Sequence, residues 1–323
     1  MLKIEDYRQI VEDQLQMMGG MKRPEGLYDP VRYILSLGGK RIRPALCMAS
    51  ASLFGDYTPA LMPALGIEVF HNFTLLHDDI MDQSDVRRNH PTVHKKWDNN
   101  TAILSGDVML IKAYELICKS PVGVLPQVLE VFSQTATEVC EGQQFDMEFE
   151  KSTDVTEDGY LDMIRLKTAV LIGGSMKIGG ILGGGSLRDC ALLYKFGQDI
   201  GMAFQLQDDW LDVFGDQKTF GKRIGSDILN NKKTFLLISA LNRLEKELKK
   251  ELLGWLQRKE YDADEKISAV TRLYNEAGVS EIVAQKRDDY FTRSLENIEK
   301  VNGDREIKQE IENFAHQLMA RSR

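Results

Sequence analysis

Residues 70–88 read FHNFTLLHDDIMDQSDVRR, an apolar helical stretch that closes in an acidic cluster and then a pair of arginines. On a helix Asp78 and Asp82 share one face with Cβ atoms roughly 5–6 Å apart. Asp79 lies about 100° round from Asp78. Two carboxylates on one face repel each other unless they meet water or hold a divalent cation. Hard cations such as Mg²⁺ take oxygen ligands, commonly one or two carboxylates together with substrate phosphates. One such cluster alone reads as a solvated acidic face.

The spacing recurs. Residues 204–216 read FQLQDDWLDVFGD, so Asp208, Asp209 and Asp212 repeat the D-D-x-x-D pattern after a second apolar helical run. Two carboxylate faces looking at each other would cage metal ions and a diphosphate.

Outward from these stretches the chain reads as helix after helix. Ile4, Tyr7, Ile10, Val11, Leu15 and Met18 give a helical period ahead of Gly19-Gly20. A second helix is expected from Pro30 to Leu37. GGKRIRPALCMASASLF then sets two glycines and the cations Lys40, Arg41 and Arg43 at a helix start, where the positive helix end also favours an anion. NHPTVHKKW reads as an irregular connection. Further helices are expected over residues 100–119, which carry Asp107, and over 127–149, where Gln143 and Asp146 share a face. Residues 160–180 are helical by period and rich in small side chains, with Lys167-Thr168 in the middle. Beyond the second acidic cluster TFGKRIGSDILNNKKTF supplies Lys222, Arg223, Lys232 and Lys233. Strand-turn-strand signals are nearly absent, as are linkers and repeats. The expectation is an all-α bundle of more than ten helices forming one domain over residues 1–323.

Composition narrows the class. The 323 residues are 43% apolar and 28% charged, which fits a globular protein with a sizeable core. A formal net charge of −8 argues against non-specific nucleic-acid binding. Cys47, Cys118, Cys140 and Cys190 are scattered with no metal or disulfide spacing, which leads us to expect reduced thiols in the cytoplasm. The charged N-terminal helix has no signal-peptide core, and no apolar run is long enough to span a bilayer. Loops or motifs for nucleotide binding, serine hydrolysis or zinc proteolysis are missing. There remains an inventory for two anionic substrates, one held through metal and one through Arg and Lys directly.

DDIMD followed by RR, DDWLD followed by GKRIGSDI and KKT, GGKRIRP, GQQFD and LKTA together resemble the trans-isoprenyl diphosphate synthases, the head-to-tail polyprenyl synthetases, over roughly residues 30–240 in the correct order. The resemblance implies an orthogonal helical bundle around a deep central cavity, normally a homodimer. It implies condensation of isopentenyl diphosphate with an allylic diphosphate (dimethylallyl, geranyl or farnesyl) and about three Mg²⁺ ions. Carried over by position, Lys40, Arg43, His71 and Arg88 would hold isopentenyl diphosphate. Asp78, Asp82, Asp146, Asp208 and Asp212 would surround the metal cluster, supported by Asp79, Asp209 and Asp227. Arg87, Gln143, Lys167, Gln205, Lys222 and Lys232 would hold the allylic diphosphate, and Thr168 would position its chain. Asn89 departs from the glycine that often follows the two arginines and removes no ligand.

The chemistry agrees with that assignment. Ionising an allylic C–O bond requires stabilising the departing diphosphate, and the cation must be kept from water. The diphosphate can take the final proton, so no side-chain base is obligatory. In the family, Phe73, five residues before the first aspartate, would set product length, with Thr74 next to it and Phe70 as another candidate floor. By helical arithmetic, however, His71 and Thr74 lie under Asp78 and Phe73 lies about 140° round. The expected product is geranylgeranyl diphosphate, with farnesyl or a longer diphosphate as alternatives. A class I terpene cyclase would lack the second D-D-x-x-D and the Lys40/Arg43 site, and a non-catalytic subunit would have lost one acidic motif.

Overall fold

The computed structural model describes residues 2–18, 23–152, 154–215 and 224–320. In chain order the helices are α1 (Ile4–Met17), α2 (Glu25–Ser36), α3 (Ile42–Ser52), α4 (Leu61–Met81), α5 (Val93–Lys96), α6 (Asn99–Ile117), α7 (Leu125–Lys151) and α8 (Glu157–Ile164). They continue as α9 (Val170–Gly183), α10 (Leu187–Phe214), α11 (Ser226–Leu229), α12 (Phe235–Arg243), α13 (Lys246–Gln257), α14 (Ala263–Glu276), α15 (Val279–Glu299) and α16 (Arg305–Ala320). The all-α expectation holds. Among the described residues the only sheet is a ribbon of β1 (Val86–Arg87) and β2 (His90–Pro91). Gly19-Gly20, Lys222 and Arg223 lie outside the described residues.

Two compact units are distinguished. The first comprises Met1–Ala136, Ile172–Tyr194 and Ile298–Glu312. Its α1 buries Ile4, Tyr7, Val11 and Leu15, the single stripe that a 3.6-residue period dictates. α4 is apolar on nearly every side and is correspondingly central, with Leu65, Ile67, Phe70 and Leu76 buried. Each such side chain contributes about 1.5–3 kcal/mol relative to exposure. α6 lies close against α4, because at Gly66 even a Cβ would come within 2.9 Å of the Ala113 carbonyl. The α6 start is fixed by Asp98, whose side chain accepts the Thr101 N–H. α2 begins earlier than expected, at Glu25, with Pro24 as its cap and Pro30 inside at the loss of one intrahelical hydrogen bond.

The second unit comprises Thr137–Leu171, Lys195–Asn297 and Asn313–Arg323. Tyr160, Met163, Leu206, Phe235, Leu237, Leu252, Val270, Leu273 and Val283 form its core. Between α8 and α9 the chain takes one π-helical turn, Arg165–Ala169. Gly142 on α7 makes that possible: a Cβ there would stand 2.2 Å from the Lys167 backbone nitrogen.

Candidate active site

In the first unit, α4 delivers the first acidic cluster at its C-terminus. Asp82 is the capping residue and its N–H donates to the Asp78 carbonyl at 2.9 Å, so the two carboxylates follow one helical turn. Asp82 is exposed and Asp78 half-buried, while Asp79 turns inward and is 2% exposed. Arg87 holds Asp79 from above: Nε donates to both carboxylate oxygens at 2.9 and 2.8 Å, and Nη2 lies 2.7 Å from Oδ1. The same Nη2 reaches Asp78 at 3.5 Å. Burial alone would lower the Arg87 guanidinium, but its hydrogen bonds and charge contact with Asp79 outweigh that and raise it.

The ribbon aims the arginine pair. Arg87 pairs with His90 across the strands, leaving Arg88 and Asn89 as the two turn residues at φ 53° and 64°. Positive φ at both positions is the type I′ hairpin turn, for which Asn is a preferred residue. Asn89 therefore serves where a glycine would, and the expected irregular connection over residues 89–97 is instead the end of a tight turn, the strand β2 and the short helix α5. Its two-residue strands are too short to show alternation in sequence. Arg88 reaches back to donate to the Gly38 carbonyl, lying so close over Gly39 that a Cβ there would come within 2.9 Å of Nη2.

The three cations of GGKRIR separate. Arg41, left-handed at φ 43°, points into the core and is 3% exposed, donating to Glu12 at 2.9 Å, Glu68 at 2.7 Å and the Leu35 carbonyl at 2.8 Å. It is a structural residue and leaves the expected anion-binding trio. Lys40 is exposed. Arg43 Nη1 meets His71 Nε2 at 3.2 Å, and its buried Nε has no hydrogen-bond partner. Burial brings the Arg43 guanidinium down to about 10. Burial, then the charges of Arg43, Arg88, Arg87 and Arg41, push His71 well below its ordinary value, so its ring is neutral and accepts from Arg43. A neutral imidazole ringed by guanidiniums, one with an orphaned N–H, is an arrangement made for a polyanion.

The expected chain-length residues sit deep in the same unit. Phe73 is 8% exposed, with its ring 5.6 Å from Phe70 and 4.7 Å from His77. Phe70 stacks edge-on against Phe132. Thr74 donates to the His71 carbonyl at 2.8 Å.

In the second unit the π-helical turn presents Lys167 and Thr168. Lys167 Nζ lies 2.6 Å from Asp146 Oδ2, and Thr168 Oγ1 donates to Gln205 at 3.3 Å. Gln205 Nε2 donates to Asp209 at 3.1 Å. The Gln143 Nε2 is buried with no partner. On α10, Asp208 is half-buried, whereas Asp209 is 2% exposed and accepts the Tyr160 hydroxyl. Burial raises the Asp209 carboxyl against the opposing charge of Lys232 and the hydrogen bonds from Tyr160 and Gln205. Asp212 accepts the Asp227 N–H at 2.9 Å. Tyr160 is the residue that sequence reasoning missed, since a buried tyrosine at a helical apolar position looks like plain core. Lys222 lies outside the described residues.

Among the described residues no three carboxylate, imidazole or thiol groups converge closely enough to hold a metal unaided. Asp78 and Asp82 nonetheless fit Mg²⁺, which takes one or two carboxylates and fills its sphere with water and substrate phosphates.

The polyprenyl synthetase family profile matches residues 24–274. The chain belongs to that family. As a polyprenyl synthetase it is a prenyltransferase, and both the terpene cyclase and the non-catalytic reading fall away. It is 40% identical over 281 residues to the geranylgeranyl diphosphate synthase of Methanosarcina mazei, covering 86% of this chain and 84% of that one. It is 35% identical to the geranylfarnesyl diphosphate synthase of Natronomonas pharaonis, covering 99% of this chain and 97% of that one. The crystal structure of geranylgeranyl pyrophosphate synthetase from Pyrococcus horikoshii superimposes with a TM-score of 0.93 at 33% identity, covering 98% and 97% of the two chains. Among the described residues this polyprenyl synthetase has no helix long and apolar enough to cross a membrane.

Proposed function

We propose that the protein condenses isopentenyl diphosphate with an allylic diphosphate, head to tail, and releases geranylgeranyl diphosphate. The observation that carries this reading is the set of guanidiniums around neutral His71, on the same helix as the outward carboxylates Asp78 and Asp82. Lys40, Arg43, His71 and Arg88 hold isopentenyl diphosphate by direct charge. Arg87, Gln143, Lys167, Gln205, Lys222 and Lys232 hold the allylic diphosphate, with Asp78, Asp82, Asp146, Asp208 and Asp212 as the carboxylates for about three Mg²⁺ ions. When bound, Mg²⁺ neutralises the leaving diphosphate as a Lewis acid. Within the protein, Arg87 fixes Asp79 so that its neighbours point outward, and Tyr160 and Gln205 do the same for Asp209. Thr168, held by Gln205, orients the allylic chain. Fixed cations around the departing diphosphate need no reorganisation at the moment the C–O bond breaks.

The two units are taken to act as one catalytic domain, in a cytoplasmic homodimer. Support for the product comes from the buried, packed ring pair Phe73 and Phe70 on the helix that carries Asp78, and from relatives named for geranylgeranyl diphosphate. A relative named for the longer geranylfarnesyl product makes this the step to test. Purified protein would be incubated with Mg²⁺, isopentenyl diphosphate and, separately, dimethylallyl, geranyl and farnesyl diphosphate, and the products sized with and without chelator. Geranylgeranyl diphosphate that vanishes with chelator is expected, and longer products from Phe73→Ala. Farnesyl or longer products from the unaltered protein would overturn the length, and metal-independent turnover would overturn the mechanism.

A further inference from the structure

The second unit contains a fully buried lysine that no part of the mechanism above uses. Lys266 on α14 is 0% exposed, and among the described residues no carboxylate pairs with its ammonium. Buried ammonium groups are normally paired, so one held only by neutral groups calls for a role. Its Nζ donates to Asn231 Oδ1 at 2.8 Å and to the Leu229 carbonyl at 3.3 Å, and lies 4.3 Å from the Tyr261 ring centroid. The Tyr261 hydroxyl donates to the same Leu229 carbonyl at 3.2 Å. Leu229 is the last residue of α11, whose orphaned carbonyl end is where a cation is most favourable.

Directly after that helix end the chain turns into Lys232. Asn231 is left-handed at φ 54°, its N–H bonded to the Ile228 carbonyl at 3.2 Å, and the Lys232 N–H is bonded to the Asp227 carbonyl at 2.9 Å. That pair of bonds around a left-handed residue is a Schellman cap. Asn231 is gripped on both sides, since its Nδ2 also donates to the Leu256 carbonyl at 3.0 Å. At the other end of α11, Asp212 accepts from the N–H groups of Gly225 through its carbonyl and of Asp227 through its carboxylate. One helical turn thus joins the second acidic cluster to Lys232, whose charge is felt at Asp209.

We propose that Lys266 is a positioning residue for prenyl transfer, its buried ammonium locking the Leu229–Asn231 cap so that Lys232 is presented to the allylic diphosphate. This rests on the reading that Lys232 contacts that diphosphate. Lys266 acts through Asn231 and touches no substrate itself.

The test is a double-mutant cycle in the full-length enzyme. KM for the allylic diphosphate, KM for isopentenyl diphosphate, kcat and melting temperature are measured for Lys266→Met, Lys232→Ala and the pair. Lys266→Met is expected to raise the allylic KM about tenfold and leave the isopentenyl KM within about twofold, and to add nothing to Lys232→Ala. Asn231→Gly keeps the left-handed turn and removes both side-chain anchors, so it should show the same split at about threefold even if Lys266→Met folds poorly. A lowered melting temperature with both KM values unchanged, or effects of Lys266→Met and Lys232→Ala that simply multiply, would overturn the proposal. An allylic KM unmoved by Lys232→Ala would instead remove the underlying reading of Lys232, and the proposal with it.

Discussion

At the scale of single residues, the first acidic cluster divides its labour by burial. Asp78 is half-buried beside Arg87, while Asp79 is sealed beneath it in a two-oxygen ion pair. Asp78→Ala should therefore cut kcat by about a thousandfold with the melting temperature nearly unchanged. Asp79→Asn breaks a buried pair from one side and should cost about 3–5 kcal/mol of stability, read by urea unfolding. His71 gives a second residue-level expectation. Its native pKa lies well below the unfolded value, so it contributes stability that is full above about pH 6.5 and lost as pH falls below that, because only the unfolded state then takes the proton. The loss runs at up to about 1.4 kcal/mol per pH unit. His71→Gln should lose less stability than the unaltered protein between about pH 7.5 and about pH 5.5, and an identical loss would mean the imidazole is not held neutral. Most of these groups were legible in sequence because chemistry requires charge at fixed helical spacings. Arg41 was not, since nothing in GGKRIR tells which cation faces Glu12 and Glu68 in the core.

At the scale of elements, the long helices were legible because their apolar stripes are local. α1 and α6 fall within two residues of the limits read from periodicity. The ribbon that aims Arg87 and Arg88, and the π-helical turn that carries Lys167 and Thr168, were not. The ribbon rests on a local two-residue turn between strands too short to alternate, whereas the π turn is set by a partner distant in sequence, Gly142, across which it leaves no room for a Cβ. π turns recur at functional sites because the extra residue re-aims side chains. Gly142→Ala should therefore force the Lys167 backbone away, costing about 1–3 kcal/mol and lowering kcat through misplacement of Lys167 and Thr168. Gly254→Ala, in α13 with nothing within 4 Å of its Cβ, is the matched control and should stabilise by about 0.5–1 kcal/mol with kcat unchanged. Equal effects from the two substitutions would show that the close approach at Gly142 has no catalytic consequence.

At the scale of the whole molecule, α6 carries apolar side chains that the first unit does not bury. Ile103, Leu104 and Ile111 are 43%, 59% and 58% exposed, and apolar groups grouped along one element, unlike those scattered singly, mark a surface made for contact. Leu104 and Ile111 are seven residues apart, which returns them to one face of the helix. The opposite side of α6 is the one that closes on α4 at Gly66, so a second copy laid against the outward face would leave the site-bearing helix untouched. A two-fold dimer through this face would pair the same stripe on both copies. If the proposed homodimer forms through this stripe, Leu104→Glu combined with Ile111→Glu puts like charges into an apolar interface and should give a monomer in sedimentation where the unaltered protein gives a dimer. Helix content in the far ultraviolet should be unchanged, because glutamate is a good helix former at exposed positions. Retention of the dimer would place the contact elsewhere. Activity of the monomer would then distinguish two arrangements: full turnover means that each copy works alone, whereas a loss exceeding about tenfold means that pairing holds α4 and its carboxylates in register.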